Sequence, residues 1–321
     1  MRYTTPYQHP LLPNPLFNRD RALLPKRVQN NAHTRRHTFM IYALTLGLGV
    51  IGWLLLWGHW LSDDVRQSTP YWYSYLPYNW NANTLLLLGI VSVMLDLMID
   101  LSSASSSTSL INSEVVTGRW DVLRLTLLNS DQITRSKYAI AQLRLWRLTN
   151  FTIALRMLLL LLLILTTTLA TTWIEEDSTW QLSNFVSDIL AQPVHYGLIG
   201  LIFLVIGLTY IIEPYWRMKA ITAAGLLIST YTQRLSFSLL AGFMASGTMI
   251  LSQIALAFAY GYIIVEIIEV LHWDGYRFSD EAGLALALLL VSSIAALIFL
   301  YYRTVQVQML KRVTQRIGQQ D

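Results

Sequence analysis

Six stretches of the chain stay apolar for about twenty residues or more: 38–60, 84–104, 149–174, 194–212, 237–265 and 283–302. A helix needs about 20 such residues to cross the roughly 30 Å hydrocarbon core of a bilayer. The pattern therefore predicts an all-α, polytopic membrane helix bundle of about six transmembrane spans. Trp57, Trp60, Trp173, Tyr301 and Tyr302 stand at the ends of stretches, where amphipathic rings favour the headgroup zone. The first stretch is too long for a signal-peptide core and no small-residue cleavage site follows it, so it reads as a retained span. The fifth exceeds one crossing. Its last part, 260–271, reads either as a re-entrant or bent piece, which protein must bury, or as the end of an overlong helix with an acidic cap.

The polar intervals divide the rest. Residues 1–37 form an N-terminal tail, 38–302 hold the spans, and 303–321 form a C-terminal tail. No soluble domain is visible. Pro6, Pro10, Pro13, Pro15 and Pro25 make the start of the tail extended. From Asn14 to Arg36 it mixes basic residues with Leu16, Phe17, Leu23 and Leu24. Such a segment suits the inner face of an anionic membrane, with a disordered basic tail as the alternative. After the second stretch, SSASSSTS reads as a polar joint. Beyond it Val116, Trp120, Leu123 and Leu127 recur at helical spacing, which gives a short helix one apolar face. Glu114, Asp121 and Arg124 fall off that stripe. Ser130 or Asp131 then caps the helix leading into the third span. The apolar stripe needs a surface to pack on, either the base of the bundle or another protein. After the fourth stretch, Pro214 stops or bends the helix, and the small-residue run 220–230 is again helical. These two inner segments hint at a three-span repeat, but their residue identities barely match.

Charge adds orientation to this layout. The 321 residues are 54% apolar and only 13% charged, with mean hydropathy +0.43. Soluble domains carry about a quarter charged residues, and disordered chains have the opposite balance. Lysine and arginine crowd the N-terminal tail, the segment after the second span, the loop after the fourth and the C-terminal tail. The other three loops carry only Arg66 and Arg277. By the positive-inside rule both termini are cytoplasmic, which an even number of spans allows. The pI of about 9.2 records that orientation and gives no support to nucleic-acid binding. The chain has no cysteine, so disulfides, thiolate metal sites and cysteine nucleophiles are excluded.

Motifs for chemistry are sparse. Walker A, Gly-x-Ser-x-Gly and His-Glu-x-x-His are all absent, so no catalytic residue and no ATPase activity is expected of this chain. The histidines are not paired at mid-membrane, which argues against haem. Asp96 and Asp100 sit four apart on the second span and share a face. A charge inside a span is costly and points to a site or a proton path. Arg156, in the first turns of the third span, lies at comparable depth, so a structural ion pair is the competing reading. Glu266, Glu269 and His272 have a spacing that suits a metal, but an acidic outer cap accounts for them and no metal is expected.

The stretch Glu114-Val115-Val116-Thr117-Gly118-Arg119-Trp120-Asp121-Val122-Leu123-Arg124-Leu125-Thr126-Leu127-Leu128 resembles the cytoplasmic coupling segment of ABC-2 type transporter permeases. That segment has a Glu, a Thr-Gly pair, an acidic residue, a leucine-rich run, then a polar turn, an Ile and a Lys. Here Ser130, Asp131, Gln132, Ile133 and Lys137 fill the last part, and Leu127 replaces a common proline. Asn14-Pro15-Leu16 is similar to the family's opening, an amphipathic elbow helix before the first span. The motif covers about forty residues. The resemblance implies a permease subunit of the plasma or inner membrane, working as an exporter with a second permease chain, identical or different. It implies a separate ABC ATP-binding subunit that holds ATP and Mg, this chain itself carrying no cofactor. A coupling segment at about 110–133 would dock on that subunit through Glu114, Val116, Thr117, Gly118, Trp120, Asp121, Leu123, Arg124 and Leu127. The rival readings are an ion- or proton-coupled transporter using Asp96 and Asp100, and a membrane scaffold that transports nothing.

Overall fold

A computed structural model describes residues 14–24, 31–61, 76–118, 128–174, 190–232 and 280–319, with parts of 236–262. Among these residues the fold is an all-α bundle. Its helices are α1 (Pro15–Ala22), α2 (Asn31–Leu61), α3 (Leu76–Val116), α4 (Ser130–Ile174), α5 (Pro193–Tyr231) and α6 (Asp280–Gln319). Five of them, α2 to α6, are long and apolar enough to cross a membrane. The expected count of six is thus corrected to five among the described residues. The stretch 237–265 is described only in part, and its described helix, Leu240–Leu251, is shorter than a crossing.

The helices overrun their apolar stretches. At 1.5 Å per residue, the 41, 45, 39 and 40 residues of α3 to α6 span about 58–68 Å, twice the hydrocarbon thickness. The serine-rich run read as a joint is part of α3. Three of its hydroxyls turn back onto their own helix: Ser107 Oγ donates to Ser103 O at 2.5 Å, Thr108 Oγ1 to Ala104 O at 2.8 Å and Ser109 Oγ to Ser106 O at 3.2 Å. This back-bonding satisfies them without leaving the helix. It also keeps the surface small, so α5 can come close. A Cβ on Gly225 of α5 would stand 1.9 Å from Ser107 Oγ and 3.4 Å from Ala104 O.

Gly225→Leu is accordingly expected to cost at least about 1–3 kcal/mol through overpacking. An earlier thermal midpoint of the purified protein in detergent would show it. Gly247→Leu is the control, since a Cβ there meets nothing within 4 Å. Equal midpoints for the two variants would show that the α3–α5 seam is not close-packed.

Burial is distributed unevenly along the bundle. The largest core lies where the sequence is polar. It joins Leu16 and Phe17 of α1, Leu110 and Ile111 of α3, Ile133, Tyr138 and Trp146 of α4, Ala223 and Leu226 of α5, and Leu310, Val313 and Ile317 of α6. The apolar halves instead turn large side chains outward, among them Leu48 and Leu54, Leu86 and Ile90, Phe203 and Leu204, and Leu289 and Leu300. Hydrocarbon makes no demand that such side chains be buried against protein, whereas water does. The helices α3 to α6 thus form an apolar bundle at one end and a water-type bundle at the other. α2 lies against α4, with Trp53 packed among Leu155, Leu158 and Leu162.

Candidate functional site

Two sets of buried charges hold the bundle together. The first lies at the polar end. Asn14 caps α1, accepting from the N–H of Leu16 at 3.0 Å and of Phe17 at 3.3 Å, with Pro15 at the first helical position. Asn14 Nδ2 also donates to Gln132 O at 2.9 Å, which ties α1 to the start of α4. This fixes Leu16 and Phe17 in the core and turns Arg19 and Asp20 towards the end of α3. Lys137, 1% exposed, reaches Asp20 Oδ2 at 2.7 Å and Glu114 Oε1 at 2.8 Å. Arg19 reaches Asp20 Oδ1 at 2.7 Å and the same Glu114 oxygen at 2.9 Å. Two cations face two anions, so the set is balanced. Partial burial pulls the Arg19 guanidinium down, but Asp20 and Glu114 outweigh it and hold it above its ordinary value.

The second set lies at the border between the two halves of the bundle, about 21–27 Å along α3 from Glu114 by helical rise. Asp96 and Asp100 come from α3, Arg156 from α4, Glu213 and Arg217 from α5, and Tyr302 from α6. Arg156 pairs with Asp96, and with Glu213 Oε2 at 3.1 Å. Arg217 approaches Asp96 Oδ1 at 3.2 Å, Asp100 Oδ1 at 3.0 Å and Glu213 Oε1 at 3.5 Å. The Tyr302 hydroxyl donates to Glu213 Oε1 at 2.7 Å.

Arg156 has a further role that explains why α5 continues past Pro214. Proline has no N–H, so the carbonyl four residues earlier, Tyr210 O, lacks its helical partner. Arg156 Nη1 donates to that oxygen, and its guanidinium lies 4.5 Å from the centre of the Tyr210 ring. Pro214 therefore sits inside a helix of 39 residues, where the sequence predicts a stop or a bend. A neighbouring helix supplies the donor that the proline removes.

The structure brings Asp96 and Arg156 together, while Asp100 pairs with Arg217. Glu213, Arg217 and Tyr302 escape sequence reasoning, because the expected helix end at Pro214 puts Arg217 in a loop. Their signal was present: Glu213 and Arg217 are four apart, like Asp96 and Asp100, with opposite charges to offer. Of the resembling segment, Glu114 is 8% exposed and salt-bridged, and Val116 is the last residue of α3. Thr117 donates to Glu114 O at 3.3 Å. Gly118 has φ +69°, the left-handed conformation that ends helices and that glycine adopts without strain. The expected short helix with Val116, Trp120, Leu123 and Leu127 on one face is thus corrected at its start: Val116 belongs to α3, which ends two residues before Gly118. Trp120, Asp121, Leu123, Arg124 and Leu127 lie outside the described residues, as do Glu266, Glu269 and His272. The cap of α4 is Asn129 rather than Ser130 or Asp131. Its N–H is bonded to Gln132 Oε1 at 3.2 Å, and its carbonyl accepts from the Ile133 N–H at 3.1 Å. Among the described residues no group of three or more His, Asp or Glu is placed to hold a metal ion. No protein-family model, no curated protein and no solved structure matches the chain.

Proposed function

We propose that this chain is the membrane-spanning permease subunit of an ATP-driven transporter of the ABC-2 type, an exporter of the cell membrane with both termini in the cytoplasm, a layout that the common core of α1 and the end of α6 supports whatever the count of described spans. A separate ATP-binding subunit, holding ATP and Mg, would act on the segment between α3 and α4, and a second permease chain would complete the pathway. The observation that carries this reading is the anchoring of that segment. Glu114, with which it opens, is clamped by Lys137 and Arg19, both of which Asp20 pairs in turn. From the clamp α3 and α4 run unbroken into the apolar half of the bundle. A push on residues 117–128 would thus move two spans together, with α1 carried along.

The test is purification of the intact complex from native membranes, with mass spectrometry and an ATPase assay on what comes with it. A stoichiometric partner bearing Walker A, with nucleotide hydrolysis in the complex, is expected. Trp120→Ala together with Asp121→Lys should weaken its recovery about tenfold or more, as loss of a hot-spot residue does, and leave the thermal midpoint of the permease in place. Recovery without any such ATPase, or full recovery with the variant, would remove the reading.

A further inference from the structure

Three carboxylates and two guanidiniums meet at the border of the two bundle halves. α3 supplies Asp96 and Asp100, α4 supplies Arg156, and α5 supplies Glu213 and Arg217. The side chain that α6 adds, Tyr302, is a neutral phenol. With every acid and base ionised the set carries one negative charge too many. A buried charge without an opposite partner is among the costliest things a protein interior can hold. The donors are also shared unequally. Asp96 meets both guanidiniums, and Glu213 meets both and the phenol. Asp100 meets Arg217 alone, through Oδ1, and neither of its oxygens accepts a hydrogen bond. Its residue is only 1% exposed.

We propose that this set is a single-proton site and that Asp100 is the group that carries the proton. Two guanidiniums then balance Asp96 and Glu213, and a neutral carboxylic acid occupies the position with the fewest donors. The inference does not rest on the ATPase reading and holds with or without such a partner. It gives the bundle a binding event tied to the packing of α3 on α5. Moving Arg217 from Asp96 towards Asp100 would only pass the proton to Asp96, because the set keeps its excess of one negative charge. Admitting water or a further cation to the set would release it, so proton uptake and release would accompany a rearrangement that parts α3 from α5, which is what proton-linked transport requires.

Infrared spectroscopy of the full chain in lipid nanodiscs tests this directly. At neutral pH the wild type should show the carbonyl stretch of a neutral carboxylic acid, shifting when aspartate is labelled with ¹³C in its carboxyl. Asp100→Asn, which mimics the neutral form in shape, should lack the band and keep its thermal midpoint. Asp131→Asn, in a pair with Arg135 at 2.7 Å on the start of α4, should keep the band. In Asp100→Glu the band should follow labelled glutamate instead, which decides the matter even if the asparagine variant folds poorly. No band in the wild type, a band that survives in Asp100→Asn, or one that stays with labelled aspartate in Asp100→Glu would overturn the proposal. So would a set balanced by Na⁺, seen as stabilisation by that ion without the band.

Discussion

Arg156→Gln is expected to lower the stability of the folded chain by about 3–5 kcal/mol, the usual cost of removing one partner from a buried ion pair. Arg156 is 4% exposed, and its loss strikes two different things. Asp96 and Glu213 each lose a guanidinium. Tyr210 O, already deprived of a helical N–H by Pro214, loses its substitute donor. The two losses separate in a double-mutant cycle with Pro214→Ala. Alanine restores a backbone N–H at that position, so Tyr210 O keeps a partner whatever stands at residue 156. In that background Arg156→Gln should cost less by about 1–3 kcal/mol, the penalty of leaving a buried acceptor unsatisfied. Unfolding of the four variants in mixed micelles measures it. The same cost in both backgrounds would show that Arg156 serves the carboxylates alone.

The apolar stretches of this chain were legible because hydrocarbon demands apolar residues on every lipid-facing position, and a run of twenty leaves little ambiguity. The continuation of the helices was not. Residues 102–109 of α3 carry serine, threonine and alanine without an apolar stripe, because their contribution to packing is smallness, which periodicity does not report. Pro214 was a misleading stop signal, since its effect depends on whether another helix brings a donor, and Arg156 lies 58 residues earlier in sequence. The face shared by Asp96 and Asp100 followed from their spacing of four. Which cation each would meet depended on how far α5 extended. Gly118 is the local signal against a continuous helix: it stands inside the apolar stripe, and its positive φ ends α3 there. Val116 therefore belongs to the preceding span helix and is no part of a stripe with Trp120, Leu123 and Leu127.

Lys137→Met is expected to be about as damaging, again by about 3–5 kcal/mol, but at the other end of the bundle and with a different readout. The ammonium group is enclosed, with its side chain 2% exposed, and it satisfies Asp20 and Glu114 at once. Without it two carboxylates share the half-exposed Arg19, whose side chain is 45% accessible. The weakest attachment should yield first. α1 is eight residues long and too short to be stable as an isolated helix, so it depends on this set and on burial of Leu16 and Phe17. The chain contains no cysteine, so Leu23→Cys, one residue past the end of α1 and 77% exposed, offers a single site for a spin label. Lys137→Met should convert an ordered spectrum to a mobile one before the rest of the bundle melts. Replacing the buried carboxylates as well, with Asp20→Asn and Glu114→Gln, should recover much of the loss, since a whole buried pair is cheaper to remove than half of one. Failure of that recovery would mean that Lys137 acts through its packing in the core rather than through charge. A label that stays ordered in Lys137→Met would show that α1 is held without Lys137, by burial of Leu16 and Phe17, by Asn14 on Gln132 O and by Arg19 on Glu114. Lys137 would then bind α4 to α3 through Glu114 without governing α1.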